Sequence, residues 1–267
     1  MKSKFRYILI ASLYFLSYFF PRKKHFGKTK IIVFHHIDNP VQFEEVINKL
    51  SRKYNFISFE DYISGNIDKR KINLIFSLDD GYESWFTYGR PIFNSFNISP
   101  ILSINSDFMN LDKKDSFAYC KNHINTWPEK ALSWQQLNEL NSSSVLISSH
   151  GLEHVDMICH NLSYLNKVNC VSNDKLYLEE KLGCKIKAFT YPYGRYNSDS
   201  IDIIKGLNFD FAFTSDSGFL SDEQFPYKIK RTNIGMRGYY VTCGFIEGFD
   251  EVLTSISSRV RKLIKYV

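Results

Sequence analysis

From residue 30 onward, short apolar runs with strand character alternate with runs that have helical spacing. The strand-like runs are KIIVFHHID, INLIFSLDDG, ISPILSINSDF, VLISSHG, IKAFTYPYG, FDFAFTSDSG and YKIKRTNIG. The first helical run, VQFEEVINKLSRKY, places Phe43, Val46, Ile47 and Leu50 on one face. This alternation predicts an α/β fold with a mainly parallel sheet or barrel, and it leaves room for few other architectures.

Chemically active residues follow several of these predicted strands. In α/β folds, ligands gather at the carboxyl ends of the strands, so side chains at those ends are expected to meet. Folding alone gives separate strands no reason to end in such residues on the same rim. The residues concerned are Asp79, Asp80, His150, the turn 192–194, His35 and His36.

Two histidines and two aspartates have the spacing of a metal site. His150 and His154 stand four residues apart in SHGLEH, so a helical turn would place both imidazoles on one face. A carboxylate from the Asp79–Asp80 pair could supply a third ligand, and the cation would offset the repulsion between the two acids. The second aspartate would then be available as a base. Taken singly, each motif is more often a solvated helix face, a cap or a turn.

Together, three motifs in this order resemble the polysaccharide deacetylase family, also called the NodB-homology family or carbohydrate esterase family 4. They are SLDDG, SHGLEH and FTYPYG. ALSWQQLNEL resembles the Trp-containing helix of the family, and the similarity covers roughly residues 30 to 235. The resemblance implies a distorted (β/α) barrel, here preceded by an N-terminal hydrophobic helix. It also implies a divalent metal, most often zinc, and removal of acetyl groups from N-acetylated sugars in glycans.

The resemblance also implies a role for each motif residue. Asp79 corresponds to the general base, while Asp80, His150 and His154 correspond to the metal ligands. The backbone N–H of Tyr193, in the turn that begins with Pro192, corresponds to the group that stabilises the oxyanion. In the mechanism implied for the family, metal-bound water attacks the amide carbonyl, so no nucleophilic Ser or Cys is needed.

The sequence departs from the family pattern around the catalytic aspartate and the second motif. Thr190 occupies the position where many members carry an arginine that orients the catalytic aspartate, and Arg231 is the candidate substitute. Gly151 stands where Ser or Thr is usual, so a supporting hydroxyl is lost.

A further departure concerns the general acid. No histidine follows His160, whereas many members use a late histidine to protonate the leaving amine. The chain resembles instead a branch that includes deacetylases of bacterial exopolysaccharides, in which the first strand ends in a Tyr-His-like pair. His35 is therefore the candidate acid or substrate-contacting imidazole, with His36 as the neighbouring alternative and a structural histidine as the other reading.

The positive charge of the chain is concentrated near its N-terminus. The formal net charge is +6, but residues 1–30 contain eight Lys or Arg and no acid, which leaves 26 basic and 28 acidic residues for the rest. A nucleic-acid-binding protein would more often carry its basic patch on the folded body, so we expect no nucleic-acid partner. The basic residues instead flank an apolar segment.

That segment, residues 7–20, reads YILIASLYFLSYFF and contains no charge. As a helix it would span roughly 21 Å, short of the ~30 Å hydrocarbon core of a bilayer. Three interpretations compete for this segment: a signal peptide, a core helix and a membrane helix. The basic flanks favour a membrane-associated segment, at a bacterial cytoplasmic membrane, with the side undetermined. We therefore predict a membrane segment over residues 1–29 and a catalytic domain over residues 30–267.

Three functions remain in competition at this stage. The first is a metal-dependent N-deacetylase acting on a bacterial surface polysaccharide or its precursor. The second is an O-acetyl esterase on the same scaffold, because an ester has an easier leaving group and needs a general acid less. The third is a non-catalytic glycan-binding or assembly protein. A basic amphipathic helix is also predicted over residues 251–267, packing on the barrel or contacting anionic lipid.

Overall fold

The computed structural model describes residues 2–19, 25–141, 144–221, 225–235 and 237–264. Within these ranges, eight strands form one sheet in which every strand pairing is parallel. The strands are β1 (Thr29–Phe34), β2 (Asn55–Phe56), β3 (Asn73–Asp80), β4 (Ile101–Ile104), β5 (Leu146–Ser149), β6 (Ala188–Thr190), β7 (Phe211–Phe213) and β8 (Thr232–Asn233).

The strand order is β7-β6-β5-β4-β3-β1-β8, and β2 adds to β3. The sheet curls into a half-barrel flanked by helices, which confirms the predicted distorted (β/α) barrel. Strand register decides which residues become neighbours. Phe34 pairs with Leu78, and Asp80 pairs with Ile104. His35 therefore leaves β1 beside the aspartates that end β3.

The helices are α1 (Lys2–Leu16), α2 (Pro40–Ser51), α3 (Phe59–Ile63), α4 (Arg90–Ser95), α5 (Lys113–Tyr119), α6 (Trp134–Leu140), α7 (Tyr164–Leu182), α8 (Ser198–Gly206), α9 (Tyr239–Ile246) and α10 (Phe249–Ile264). The helix expected from ALSWQQLNEL is confirmed as α6, and Ser133 and Gln136 form a reciprocal capping box at its start. The predicted apolar face of α2 is confirmed as well, because its four residues are buried. One of them, Phe43, packs edge-on against Phe34 of β1 at 5.2 Å between ring centroids.

Helix α1 packs on the barrel through one of its faces. Ile10 and Tyr14 are fully buried, and Ile10 lies so close to Gly244 of α9 that a Cβ at Gly244 would overlap it. Nearer the start of α1, Arg6 forms an ion pair with Asp250 of α10 at 2.7 Å. The core-helix interpretation, one of the three that the sequence left open, is thus correct for this face. Among helices of the described residues, none combines the length and apolar character needed to cross a bilayer.

Helix α10 begins two residues before the predicted start. Its first turns pack on the core through Phe249 and Leu253, which favours the packing interpretation for this part of the helix. Glu251 reaches the buried ammonium of Lys30 in β1 at 2.8 Å. The apolar residues on which the amphipathic prediction rested lie outside the described side chains: Val260, Leu263, Ile264 and Val267.

Candidate active site

Asp79 forms a buried two-point ion pair with Arg231. The two Nη atoms of Arg231 lie 2.6 and 2.9 Å from the two carboxylate oxygens, and Nε donates to the carbonyl of Thr214 at 3.0 Å. Burial by itself would raise the pKa of Asp79, but Arg231 and then His150 lower it, and the net pKa lies well below its usual value. Asp79 is therefore an ionised, immobilised carboxylate.

Asp80 faces two imidazoles and a phenol. Its Oδ1 lies 3.6 Å from Nε2 of His150 and 3.7 Å from Nε2 of His154. Its Oδ2 accepts a 2.7 Å hydrogen bond from the hydroxyl of Tyr82. The backbone of Asp80 has a φ of 88°, an unusual value for a residue other than glycine. The turn at the end of β3 thus points the two adjacent carboxylates at different partners.

A backbone carbonyl fixes the ring of His150. Nδ1 lies 2.7 Å from the carbonyl oxygen of Thr190, so Nδ1–H is the donor and Nε2 is left for a ligand. Burial, followed by the neighbouring His154, lowers the pKa of His150 to about 4. Burial also lowers the pKa of His154. Both rings are consequently neutral at neutral pH, the state in which imidazole binds metal.

The two histidines meet through a loop rather than through a regular helical turn, which corrects the sequence-based prediction. Residues 152–154 form a single tight turn in which Glu153 and His154 have φ values of 55° and 48°. Gly151 precedes them at a φ of 75°. The left-handed residues bend the chain back, so the two imidazole centroids lie 4.8 Å apart.

Asp174 of α7 supports this loop, and sequence reasoning missed it. Its carboxylate is fully buried and accepts hydrogen bonds from Ser149 Oγ at 2.5 Å, Gly151 N at 3.1 Å and Ser106 N at 2.8 Å. The available signal was an acid on the buried face of α7, between Val171 and Leu178. Asp174 thus supports the loop although Gly151 lacks the side-chain hydroxyl that is usual at its position.

Thr190 explains why an arginine is not accommodated at its position. Its hydroxyl lies 2.9 Å from both Ser103 Oγ and Ser148 Oγ, and both contacts are buried. Arg231 instead approaches Asp79 from the residue before β8 and also donates to Ser77 Oγ at 2.8 Å. Arg231 therefore contacts Asp79 as expected of a substitute for the arginine that many family members carry at the position of Thr190.

The aspartates and histidines open into a cavity of 490 Å³. His35 lines it, and its imidazole is one of the groups that lower the pKa of Asp79. His36 packs its ring edge-on against Tyr82, with the centroids 6.2 Å apart. Of the two candidate imidazoles, His35 is the one on the cavity wall.

The PYG turn forms another part of the wall. Tyr193 has a φ of 57°, and its ring packs against His154 at a centroid distance of 4.4 Å. Its hydroxyl donates to the carbonyl of His123 at 2.7 Å, while Pro192 at the start of the turn is buried. The turn therefore sits directly over the histidine pair.

Asp80, His150 and His154 are suited to a divalent metal. One ligand atom from each residue lies within 4.8 Å of the others, and all three residues are buried. The distances of 3.6 and 3.7 Å from Asp80 Oδ1 to the two histidine Nε2 atoms suit ligands that share one ion, because two bonds of about 2.1 Å span at most about 4.2 Å. The neutral imidazoles and the fixed Nδ1–H of His150 match the donor chemistry. The residues present therefore fit the group that the sequence resemblance implied.

Comparison with known proteins agrees with this geometry. The family model described as "Polysaccharide deacetylase" matches residues 65–212, more than half of the chain. The chain belongs to the polysaccharide deacetylase family. The members of this family are hydrolases of the carbohydrate esterase 4 class, and the matched range includes both aspartates, both histidines and the PYG turn. His35 and Arg231 lie outside it. Among curated proteins, no match was found.

Solved deacetylase structures share the fold at low sequence identity. IcaB from Ammonifex degensii aligns with a TM-score of 0.67 and 16% identity over 82% of this chain and 97% of its own. Streptococcus pyogenes PplD, solved in complex with acetate, gives a TM-score of 0.63 and 20% identity over 78% and 92%. A de-N-acetylase from Aggregatibacter actinomycetemcomitans gives 0.61 and 16% over 82% and 99%. These likenesses establish the fold.

Proposed function

We propose that this member of the family is a zinc-dependent N-deacetylase that acts on N-acetylated sugars of a bacterial surface polysaccharide or its precursor. The observation that carries the proposal is one arrangement of side chains. An ionised carboxylate, Asp79, is clamped by Arg231 beside a separate cluster of three metal-type ligands, and both face the same open cavity. A binding protein needs neither the clamp nor the division of roles between adjacent acids.

Asp80, His150 and His154 would hold the ion. A bound divalent cation would polarise the acetyl carbonyl and make water easier to deprotonate. Two imidazoles and one carboxylate form a donor set common in catalytic zinc sites, which is why zinc is preferred over harder ions. Tyr82, through its hydrogen bond to Asp80 Oδ2, leaves Oδ1 directed toward the histidines.

Asp79 would take the proton of the attacking water. Arg231 keeps both carboxylate oxygens fixed and keeps the group ionised over the physiological pH range. The same ion pair makes Asp79 a weak base, so its contribution is orientation as much as proton affinity. Such a weak base can deprotonate only water whose pKa has already been lowered. The cluster of metal-type ligands beside Asp79 is consistent with this requirement.

Residues of the cavity wall would carry out the remaining steps. Water adds to the acetyl carbon, and the backbone N–H of Tyr193 would donate to the oxygen on which negative charge develops. The carbon–nitrogen bond then breaks, and His35 would give the amine its proton. Acetate and a free amino sugar leave. Support for this reaction comes from the names of fold relatives, one a de-N-acetylase and another solved with acetate.

The test is acetate release from an N-acetylglucosamine oligomer by the zinc-loaded protein. We expect Asp79→Asn to reduce kcat by at least about a hundredfold while zinc remains bound, because the base is lost and the ligands are not. Asp202→Asn is the matched control, since Asp202 is exposed on α8, away from the cavity. It should behave as wild type.

Parallel assays on an O-acetylated sugar and on metal binding separate the competing functions. Acetate release from the O-acetyl substrate alone would identify an esterase. A wild-type protein that binds zinc tightly but releases acetate from neither substrate would contradict the proposed catalysis. Failure to bind zinc, cobalt or nickel would leave the glycan-binding function.

A further inference from the structure

Helix α1 has two apolar faces, of which the barrel covers one. Ile10 and Tyr14 are fully buried against α9, whereas the side chains on the opposite side of the helix are largely exposed. At 100° per residue, the open side collects five positions: Phe5, Ile8, Ser12, Phe15 and Leu16. A helix packed on a globular domain normally shows polar residues on that side.

Four of these five positions carry large apolar side chains. Phe5 is 70% exposed, Ile8 64%, Phe15 56% and Leu16 54%. Phe19, in the turn after the helix, is 75% exposed and follows the same side. Single exposed apolar residues are ordinary, but a contiguous stripe along a whole helix marks an interaction surface.

The geometry limits how a membrane could use this helix. Fifteen residues make a helix of roughly 22 Å, too short for the ~30 Å hydrocarbon core. The buried face is also committed to the barrel, through the close approach of Ile10 to Gly244 and the ion pair of Arg6 with Asp250. A helix attached along its length to a folded body can lie in a membrane surface without inserting across the bilayer.

The positive charge of the N-terminal segment favours an anionic membrane surface. The first 30 residues carry eight Lys or Arg and no acid. Two of the eight, Arg6 and Lys30, are paired with acids of α10, whereas Lys4 is exposed at the edge of the apolar stripe. Anionic phospholipid headgroups attract such a segment, and each basic residue near the surface strengthens the attachment. A second copy of the chain would bring two basic segments together, which opposes self-association through this face.

We propose that α1 is an in-plane membrane-docking helix. Its Phe5, Ile8, Phe15 and Leu16 side chains enter the interface of an anionic bilayer, while its Ile10 and Tyr14 side chains hold the barrel beneath. The protein is then peripheral, and the body is fixed to the surface by packing rather than by a flexible tether. This attachment is independent of the proposed catalysis.

The test is co-sedimentation of the full-length protein with vesicles. Phosphatidylcholine vesicles that contain phosphatidylglycerol should bind wild type more tightly than phosphatidylcholine vesicles alone, and added salt should reduce the difference. Replacing the four stripe residues with glutamine (F5Q/I8Q/F15Q/L16Q) should weaken binding roughly a hundredfold, because four apolar side chains no longer enter the interface.

A matched variant carries four glutamines at exposed apolar positions of other helices: Val41, Ile63, Leu165 and Leu176. It should bind vesicles as wild type does, and thermal unfolding should show that both variants are folded. Equal binding by the stripe variant and wild type would overturn the proposal. A wild-type protein that ignores vesicles but dimerises, and becomes monomeric in the stripe variant, would assign the face to a second copy.

Discussion

Arg231 determines the chemical state of Asp79 more than any other side chain does. Without the guanidinium, burial would raise the pKa of this carboxyl. Because the folded-state pKa is instead lowered, the ion pair contributes stability above the unfolded pKa of about 4 and loses it as pH falls through the folded value. Activity that depends on ionised Asp79 is therefore maintained over the pH range in which the ion pair keeps this carboxyl ionised.

We predict that Arg231→Lys moves the acid limb of the kcat/KM profile to higher pH and lowers kcat by about ten- to a hundredfold. Lysine keeps the charge but cannot bind both carboxylate oxygens, so the pKa of Asp79 rises and its orientation loosens. The measurement is acetate release across pH with saturating zinc.

Arg195→Lys is the control for that experiment. Arg195 also lines the cavity, but it pairs with Asp156 at 2.8 Å on the exposed side. Its profile should match wild type. An unshifted acid limb in Arg231→Lys would mean that Asp79 does not titrate in the rate-limiting step.

A second residue-scale prediction concerns Asp174. Asp174→Ala removes the acceptor for Ser149 Oγ, Gly151 N and Ser106 N, and so loosens the loop that carries both histidines. We expect zinc affinity to fall about ten- to a hundredfold, as for other supports of metal ligands. Competition with a chromophoric chelator measures it. Asp202→Ala should leave the affinity unchanged, and unchanged affinity in Asp174→Ala would make the residue purely structural.

At this scale, the sequence identified residues whose neighbours along the chain form a motif. Asp79, Asp80, His150 and His154 all belong to this group, and the structure brings them together. Asp174 was missed because its partners lie on other elements. Tyr82 directly follows the DDG motif, but its bond to Asp80 depends on a turn with an unusual backbone angle.

Among the elements, the loop after β5 depends most on backbone conformation. Gly151 has a φ of 75°, and a Cβ there would meet nothing closer than Phe189 at 3.9 Å. Space is therefore available, and the cost of another residue is backbone strain alone.

We predict that Gly151→Ala lowers the free energy of unfolding by about 1–2 kcal/mol, measured by urea denaturation of the metal-free protein. Gly206→Ala is the contrasting substitution, because Gly206 lies in α8 without a left-handed φ and with open space around it. It should be neutral or stabilise by up to about 1 kcal/mol. If the two substitutions had equal effects, strain at Gly151 would not be the cause.

The elements were predicted in kind and order, but their lengths were less accurate. IKAFTYPYG suggested a long strand, yet pairing in β6 ends at Thr190, because Pro192 has no N–H to donate and Tyr193 turns left-handed. The spacing of His150 and His154 likewise suggested a helical turn, although the structure has a tight loop there. Periodicity does not reveal positive φ angles in residues other than glycine, and this loop contains two.

For the whole molecule, Lys30 and Glu251 join the barrel to its C-terminal helices. The Lys30 ammonium is fully buried, donates to the carbonyl of Phe245 at 2.9 Å and lies 4.5 Å from the ring centroid of Phe219. Glu251 is its acidic partner. Burial lowers the pKa of Lys30, against the opposing effect of Glu251.

We predict that Glu251→Ala lowers the free energy of unfolding by about 2–4 kcal/mol, since it leaves a buried cation without its partner. Glu45→Ala breaks an exposed pair with Lys49 on α2 and should cost no more than about 0.5 kcal/mol. Chemical denaturation of the two variants gives the comparison. Similar losses would show that Lys30 does not depend on Glu251.

The barrel as a whole was predictable because strand–helix alternation allows few arrangements. The docking of α1 was not, since a sequence apolar on all sides does not show which side a distant element will cover. The division of the chain into residues 1–29 and 30–267 stays a prediction. In the structure, α1 contacts α9 and α10 along one face.

The contact between Ile10 and Gly244 has a consequence for the order of synthesis. Helix α1 precedes α9, the helix that covers it, by more than 200 residues, so it is synthesised well before its partner. At ~5–20 residues per second the delay is about 10–50 s, during which the face that α9 later covers has no partner. The buried face of α1 must therefore stay protected in the nascent chain until α9 has been made. Products truncated before α9 should expose that face permanently and become substrates for chaperones and proteases.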